Sequence, residues 1–443
     1  SYRMLSSFEY DSATGLLLKQ NYGNGDYINY SYDNLDRLSY KMYNGDGNRK
    51  LSYSYGRDGN IASNFDSATG EKTVFCYDLA NRAVGQKTYV GSTLSSSLAY
   101  IYADKTNYLV GVKHKFALGE QTIGYRYGNL SVGEMPDQIY GVTWNGKEKI
   151  GYSYDGFGRI TDKTVMPSLS KTLHNRYTYY NRESGNRTST TVKSLETANG
   201  TYTYTYDAVG NILSINDGTY TVSYVYDGLN QLVRENDQRA DTTTVFTYTN
   251  GNITGKKVYK YTLGNVGEEI KSTSYGYSNS EWRDLLTSFN GQAVTYDEIG
   301  NPITFGSKTF EWCGRQLERI TDGDNTYVYA YNTDGDRVSK TVNGVKTEFF
   351  YNGSILAGQK TGDETLIFMY DNNGDAFGFI YNGEEYYYIK NVQNDIVAIA
   401  DKNGTVVANY YYDAWGNVTR ITGNIALAQT NPLRYRSYYY DSE

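Results

Sequence analysis

Between Thr201 and Tyr206, threonine and tyrosine alternate one for one: Thr201, Thr203 and Thr205 against Tyr202, Tyr204 and Tyr206. Successive strand side chains point to opposite faces, so this spacing predicts a strand with one phenolic face and one hydroxyl face. Both residue types suit a pleated, half-buried surface. The alternation stops at Asp207-Ala-Val-Gly210. An aspartate that opens a turn accepts hydrogen bonds from backbone N–H groups just ahead of it. A glycine three positions on takes a left-handed or bulged conformation at no steric cost. Asn211-Ile-Leu-Ser-Ile215 then restarts an extended pattern. The predicted unit is strand, tight turn, strand: a β-hairpin.

The same phrase, Tyr-x-Tyr-Asp-x-x-Gly-Asn/Arg-Ile/Leu, recurs along the chain. One copy carries Tyr204, Tyr206, Asp207, Gly210 and Asn211, and another Tyr152, Tyr154, Asp155, Gly158 and Arg159. Others carry Tyr30, Tyr32 and Asp33; Tyr224, Tyr226 and Asp227; Tyr296, Asp297, Gly300 and Asn301; and Tyr411, Tyr412, Asp413, Gly416 and Asn417. The first aromatic of each unit falls at Phe8, Tyr30, Tyr53, Phe75, Tyr100, Tyr125, Tyr152, Tyr177, Tyr204, Tyr224, Phe246, Tyr275, Val294 (a β-branched stand-in), Phe310, Tyr329, Phe349, Phe368, Tyr388 and Tyr410. A repeat of this kind means one supersecondary unit stacked many times. No long helical pattern interrupts it; the nearest candidate is Glu281 to Leu286. Stacked hairpins give one long antiparallel sheet, and a sheet of that length twists and must coil or close to manage its edges. The expected fold is all-β, a long antiparallel sheet of stacked hairpins spiralling into a hollow shell or barrel. A propeller is the second choice, because a blade needs four strands in a stricter repeat.

Composition sharpens this picture. Of 443 residues 51 are tyrosine, and aromatics reach 16%, which excludes a disordered chain. The phenol suits a wall: its ring packs and its hydroxyl meets water or a neighbour's backbone. Only four prolines occur, so nearly every N–H can join a ladder. Net charge is −7, with 42 basic against 49 acidic residues, and the densest basic stretch (Lys256, Lys257 and Lys260) reads as the solvated side of a strand. This balance argues against a nucleic-acid partner. No run approaches a membrane-spanning helix. Cys76 and Cys313 lack any Cys-x-x-Cys context and read as two small buried thiols rather than a disulfide scaffold. Ser1-Tyr-Arg-Met does not read as a signal peptide, and both ends look cut from something longer.

Candidate chemistry is sparse. The two histidines, His114 and His174, sit in no catalytic or zinc-binding pattern. Val112-Lys-His-Lys-Phe116 reads as a strand with its polar residues outward. The clusters Asn44-Gly-Asp-Gly-Asn48, Asp322-Gly-Asp-Asn325, Asn332-Thr-Asp-Gly-Asp336 and Asp371-Asn-Asn-Gly-Asp375 invite a calcium reading, but they lack the spaced ligands and closing glutamate of an EF-hand, and hairpin turns select the same residues. Trp144, Trp282, Trp312, Trp415 and the tyrosines could stack on sugars, yet their regular spacing is that of a wall. No cofactor and no metal are expected.

The repeat phrase resembles that of the RHS or YD-repeat proteins, which include bacterial polymorphic toxins and animal teneurins. Three longer segments carry the likeness further. Ser280-Glu-Trp-Arg-Asp-Leu-Leu286 with Thr295-Tyr-Asp-Glu-Ile-Gly-Asn-Pro302, Trp312 and Gly314-Arg-Gln-Leu317 is similar to bacterial RHS sequence. So is Tyr386-Tyr-Tyr-Ile-Lys-Asn391 with Asp395-Ile-Val397 and Tyr411-Tyr-Asp-Ala-Trp-Gly-Asn417. Asn431-Pro-Leu-Arg-Tyr-Arg436 and Tyr438-Tyr-Tyr-Asp441 are similar to the entry of the family's core. The resemblance implies repeats over residues 1–430, the start of the core over 431–443, and a shell that encloses a C-terminal toxic domain. In the family the core runs on to a self-cleavage motif built around Asp-Pro. No Asp-Pro occurs here, so self-cleavage and toxin are expected to lie outside this chain.

The leading expectation is a non-enzymatic encapsulating scaffold from a secreted or cell-wall-associated bacterial toxin, with the C-terminal toxin domain as its partner. The alternative is a surface adhesion rod that binds a glycan or a partner cell. An enzyme ranks last for want of acid–base constellations.

Overall fold

The computed structural model describes residues 4–168, 171–181 and 188–443. The reading of the first residues as something other than a signal peptide rests partly on Ser1 to Arg3, which lie outside that set. The described chain is all-β: 38 strands join one antiparallel sheet, with one α-helix, Ile425–Thr430, and three short 3-10 turns. Sequence neighbours pair with each other along the chain. Each of the nineteen aromatic or β-branched anchors falls on the first strand of a hairpin, from Phe8 on Ser6–Tyr10 to Tyr410 on Val406–Tyr412.

The hairpin Gly200–Tyr206 with Ile212–Asn216 illustrates the local rule. Tyr202 and Tyr204 are buried while Thr201, Thr203 and Thr205 are exposed, as the alternation predicts. The ladder runs Tyr204↔Ile215 and Thr205↔Ser214, then shifts so that Tyr206 faces Ile212, a bulge beside the turn. The same shift recurs before the turns that follow Tyr32, Tyr154, Tyr226, Tyr296 and Tyr412. Gly210 closes the turn at φ 98°, where a side chain would be strained.

The chain divides into two units, one made of Ser1–Ile123 with Gly276–Ile367 and the other of Gly124–Tyr275 with Phe368–Glu443. Within each unit the earlier stretch packs on the later one, and both advance in the same sequence order. In the first, Arg49 Nη1 meets Glu318 Oε1 at 2.7 Å and Phe116 lies 6.0 Å from Phe350. In the second, Trp144 meets Phe377 edge-on at 6.4 Å and Phe246 meets Trp415 at 6.0 Å.

Several expectations change. Glu281 to Leu286 is a series of bends, not a helix: the Asn279 side chain accepts from the Glu281 and Trp282 N–H groups, and the Trp282 ring packs beneath Gly300. The helix lies instead at Ile425–Thr430, capped by Asn424, whose side chain accepts from Leu427 N. His114 points inward with Val112 and Phe116 while Lys113 and Lys115 point out, since residues two apart share a face. Both cysteines are free thiols; Cys313 is buried but Cys76 is exposed. Lys256 is not a solvated residue, because its Nζ donates to Asp413 Oδ2 at 2.8 Å.

Candidate functional site

The repeat phrase builds two devices, a turn cage and a joint. In the turn, one carboxylate oxygen of Asp207 accepts from the N–H of Val209 and Asn211, and the other from Asn211 Nδ2 at 2.8 Å. Asp155 does the same with Phe157 N, Arg159 N and Arg159 Nε, and Asp33 with Leu35 N, Arg37 N and Arg37 Nε. Asp227 accepts from Leu229 N and Gln231 N. Asp297 and Asp413 repeat the cage with Asn301 and Asn417. Gly158, Gly300 and Gly416 occupy the left-handed position. The position after it therefore needs a donor that reaches back, which is why Asn and Arg alternate there.

In the joint, the second tyrosine of most phrases donates its hydroxyl to a backbone carbonyl of the hairpin before. Tyr226 reaches Ile212 O at 3.1 Å, Tyr55 reaches Leu38 O at 2.8 Å and Tyr154 reaches Ile139 O at 2.6 Å. Tyr32 reaches Leu17 O, Tyr296 Leu286 O and Tyr412 Ile396 O. At Ile61, Ile160 and Ile212, which accept from Tyr77, Tyr179 and Tyr226, the acceptor is the apolar residue that follows a Gly-Asn/Arg pair, so these phrases carry both halves of the joint. Where the phrase degenerates, Trp312 Nε1 substitutes for the phenol and donates to Pro302 O at 2.7 Å. Each bond is worth about 1 kcal/mol, and the series extends through both units.

The turn aspartates also serve the packing of one stretch on another. In the second unit Asp371 accepts from the N–H of Asn373 and Asp375 with one oxygen. Its other oxygen accepts from Lys163 Nζ at 2.6 Å and Tyr152 Oη at 3.1 Å. Burial opposes ionisation of Asp371, yet Lys163 and the turn donors hold its carboxyl below the usual range. Burial and the Asp371 charge push the Tyr152 phenol up. Asp413 pairs likewise with Lys256. Beside it, Glu235 is buried, and burial with the Asp413 and Asp237 charges raises it to about 8. In the first unit Asp297 receives Asn24 Nδ2 at 3.2 Å, and Asp66 receives the N–H and hydroxyl of Thr333. Among the described residues no group of His, Cys, Asp and Glu is arranged to hold a metal ion, and the Asp/Asn/Gly clusters at 322–325, 332–336 and 371–375 are hairpin turns.

No family model matches the chain. A tRNA3(Ser)-specific nuclease WapA of Bacillus spizizenii is 30% identical over 223 residues, 48% of this chain and 9% of that protein. A tRNA nuclease WapA of Bacillus subtilis strain 168 is 30% identical over 226 residues, again 48% and 9%. Among solved structures, TcdB2-TccC3 without its hypervariable C-terminal region superposes with a TM-score of 0.76 at 15% identity, over 98% of this chain and 25% of that one. A Photorhabdus luminescens Tc holotoxin pore gives 0.75 at 15% identity, over 100% and 25%. These likenesses support an RHS/YD-repeat family. The chain spans about a tenth of the curated relatives and a quarter of the solved chains, and the solved structures establish the shared fold alone.

The structure keeps most of the repeat-phrase residues together as hairpin ends and joints. The anchor Tyr410 shares the buried face with Tyr412, stacked at 6.2 Å, whereas Tyr411, also taken as part of that phrase, points the other way. The sequence also gave no sign of the Lys163–Asp371 and Lys256–Asp413 contacts. Their partners lie far apart along the chain, and each aspartate looks like any other turn residue of the repeat. The segment after the helix is part of the second unit's packing. Tyr388 donates to Asn431 Oδ1 at 2.6 Å, Asn431 Nδ2 donates to Leu433 O at 2.6 Å, and Ile396 N donates to Arg434 O.

Proposed function

We propose that this chain is a non-enzymatic wall of a bacterial RHS toxin that acts outside the producing cell, and that the wall curls to enclose a C-terminal toxin domain. The observation that carries the reading is the joint: most hairpins are fixed to their predecessor by a buried or half-buried phenol, or by the Trp312 indole, which makes an extended sheet behave as continuous material rather than as beads on a linker. The names of the relatives, nucleases and Tc toxins, support the toxin context. Residues 431–443 would be the entry to the core that follows the repeats. Among the described residues no helix is long and apolar enough to cross a membrane.

The test uses the natural full-length protein. Electron microscopy should reveal a β-walled compartment with a second domain inside, and limited proteolysis should spare that domain until the wall is unfolded. A toxin domain digested equally fast with the wall intact would overturn the reading.

A further inference from the structure

The second unit contains a cavity of about 380 Å³ between the strands around Tyr202 and Tyr224 and those around Val397 and Tyr411. That size lies at the small end of ligand sites, which run from about 300 Å³ upward. Its lining is unusual for a packing defect. The Arg420 guanidinium, the side-chain amides of Asn409 and Gln393, and the phenols of Tyr224 and Tyr411 all border it, and none has a hydrogen-bond partner among the described residues. The second phenol of most repeat phrases is spent on a backbone carbonyl, as in Tyr226 and Tyr412. Here a set of donors and acceptors converges on open space.

The charges are equally specific. Arg239 and Arg420 both lie against the Tyr411 ring, at 4.9 and 5.7 Å from its centroid. Arg239 is spent on Asp217 at 2.7 Å. The other bordering carboxylates are accounted for as well: Asp413 by Lys256 and Asn417, Asp395 by Asn391 and the Arg436 N–H. Among the described residues Arg420 remains as the one bordering cation with no acidic partner, held in place by an aromatic face, and a planar guanidinium of that kind suits a carboxylate.

We propose that this cavity binds a small saccharide bearing a carboxylate. Amides and phenols each donate and accept, which matches vicinal hydroxyls, and Arg420 would take the acid group. An extended peptide fits less well. The bordering strands Gly200–Tyr206, Ile212–Asn216, Thr221–Tyr226, Ile396–Asp401 and Val406–Tyr412 are each paired on both edges, so none offers a ladder to an added strand. The site does not depend on enclosure of a toxin domain.

The experiment is calorimetric titration of the full chain with galacturonic acid, galactose and an acidic tripeptide. Galacturonic acid should bind, and galactose should bind about tenfold more weakly or worse, the worth of a hydrogen bond to a charged group. Arg420→Ala should remove that difference and leave galactose unchanged, Arg420→Lys should restore part of it, and Asn409→Ala should weaken both sugars. Arg420 is exposed, so its variants should melt with the parent chain. Absence of binding by both sugars, an unchanged preference in Arg420→Ala, or tighter binding of the tripeptide than of galacturonic acid would each overturn the proposal.

Discussion

Phe8 and Phe368 hold the same place in the repeat, yet Phe8 is 48% exposed and Phe368 is fully buried. The two units differ in the same way. In the second, Ala376–Phe379 and Ile396–Ala400 are buried at every position, on both faces. In the first, Ser6–Tyr10 is exposed at every position but Ser7, and Lys50–Tyr55 is half-buried at most positions. The repeat phrase sets strand, turn and joint; what lies over the strand sets how much water it loses. Strands covered on both sides read as continuous apolar runs, as Ile396-Val-Ala-Ile-Ala400 does.

The largest break in this comparison comes from the covered strands. Phe379→Ala, at a fully buried ring stacked on Tyr386 and Tyr388, should cost about 3–5 kcal/mol in denaturant melts, against under about 0.5 for Phe8→Ala. Asp371→Asn should cost about 3 kcal/mol, because it leaves Lys163 half-buried and unpaired. Asp155→Asn, in the same kind of turn but facing water, should cost far less.

Two buried titratable groups should give the units opposite pH responses, readable by hydrogen exchange on peptides from each. Glu235 in the second unit titrates at about 8 when folded, above its ordinary 4.5, so the folded chain keeps a proton that the unfolded chain releases. Stability there should fall as pH rises from 4.5 to 8 and level off beyond. Glu235→Gln should abolish that slope and gain about 2 kcal/mol at pH 8. His114 in the first unit is lowered by burial to about 4, from an ordinary 6.5. The unfolded chain takes up a proton that the folded chain refuses, so protection should fall as pH drops from 6.5 to 4, by about 1–2 kcal/mol. His114→Leu should flatten it. A single joint has a smaller effect than these: Tyr226→Phe should cost about 1 kcal/mol in either thermal or urea melts.

The hairpins and their phase were legible because they are local: alternation, Asp and Gly at a fixed offset, and an aromatic anchor determine strand and turn over a dozen residues. His114 was legible in principle, since it shares parity with Val112 and Phe116, but polarity was given more weight than parity. Tyr410 was read as the anchor and Tyr411 as part of the phrase, because three consecutive tyrosines hide which of them keep the face. Lys256 could not be placed at all, because the charge that removes it from water sits on another turn of the repeat, 157 positions on. The cavity beside Tyr411 was hidden for the same reason: Arg239 and Arg420 meet only on a ring that neither neighbours in sequence.

The joint between hairpins has a direction. Tyr226 looks back to Ile212, Tyr55 to Leu38 and Tyr412 to Ile396, so these hydroxyls seek a carbonyl already made. A chain leaving the ribosome would find the acceptor waiting as each donor emerges, and could lock its hairpins one by one without reference to anything still unsynthesised. Construction of the wall would then proceed as a zipper with a single slider, moving from the N-terminus.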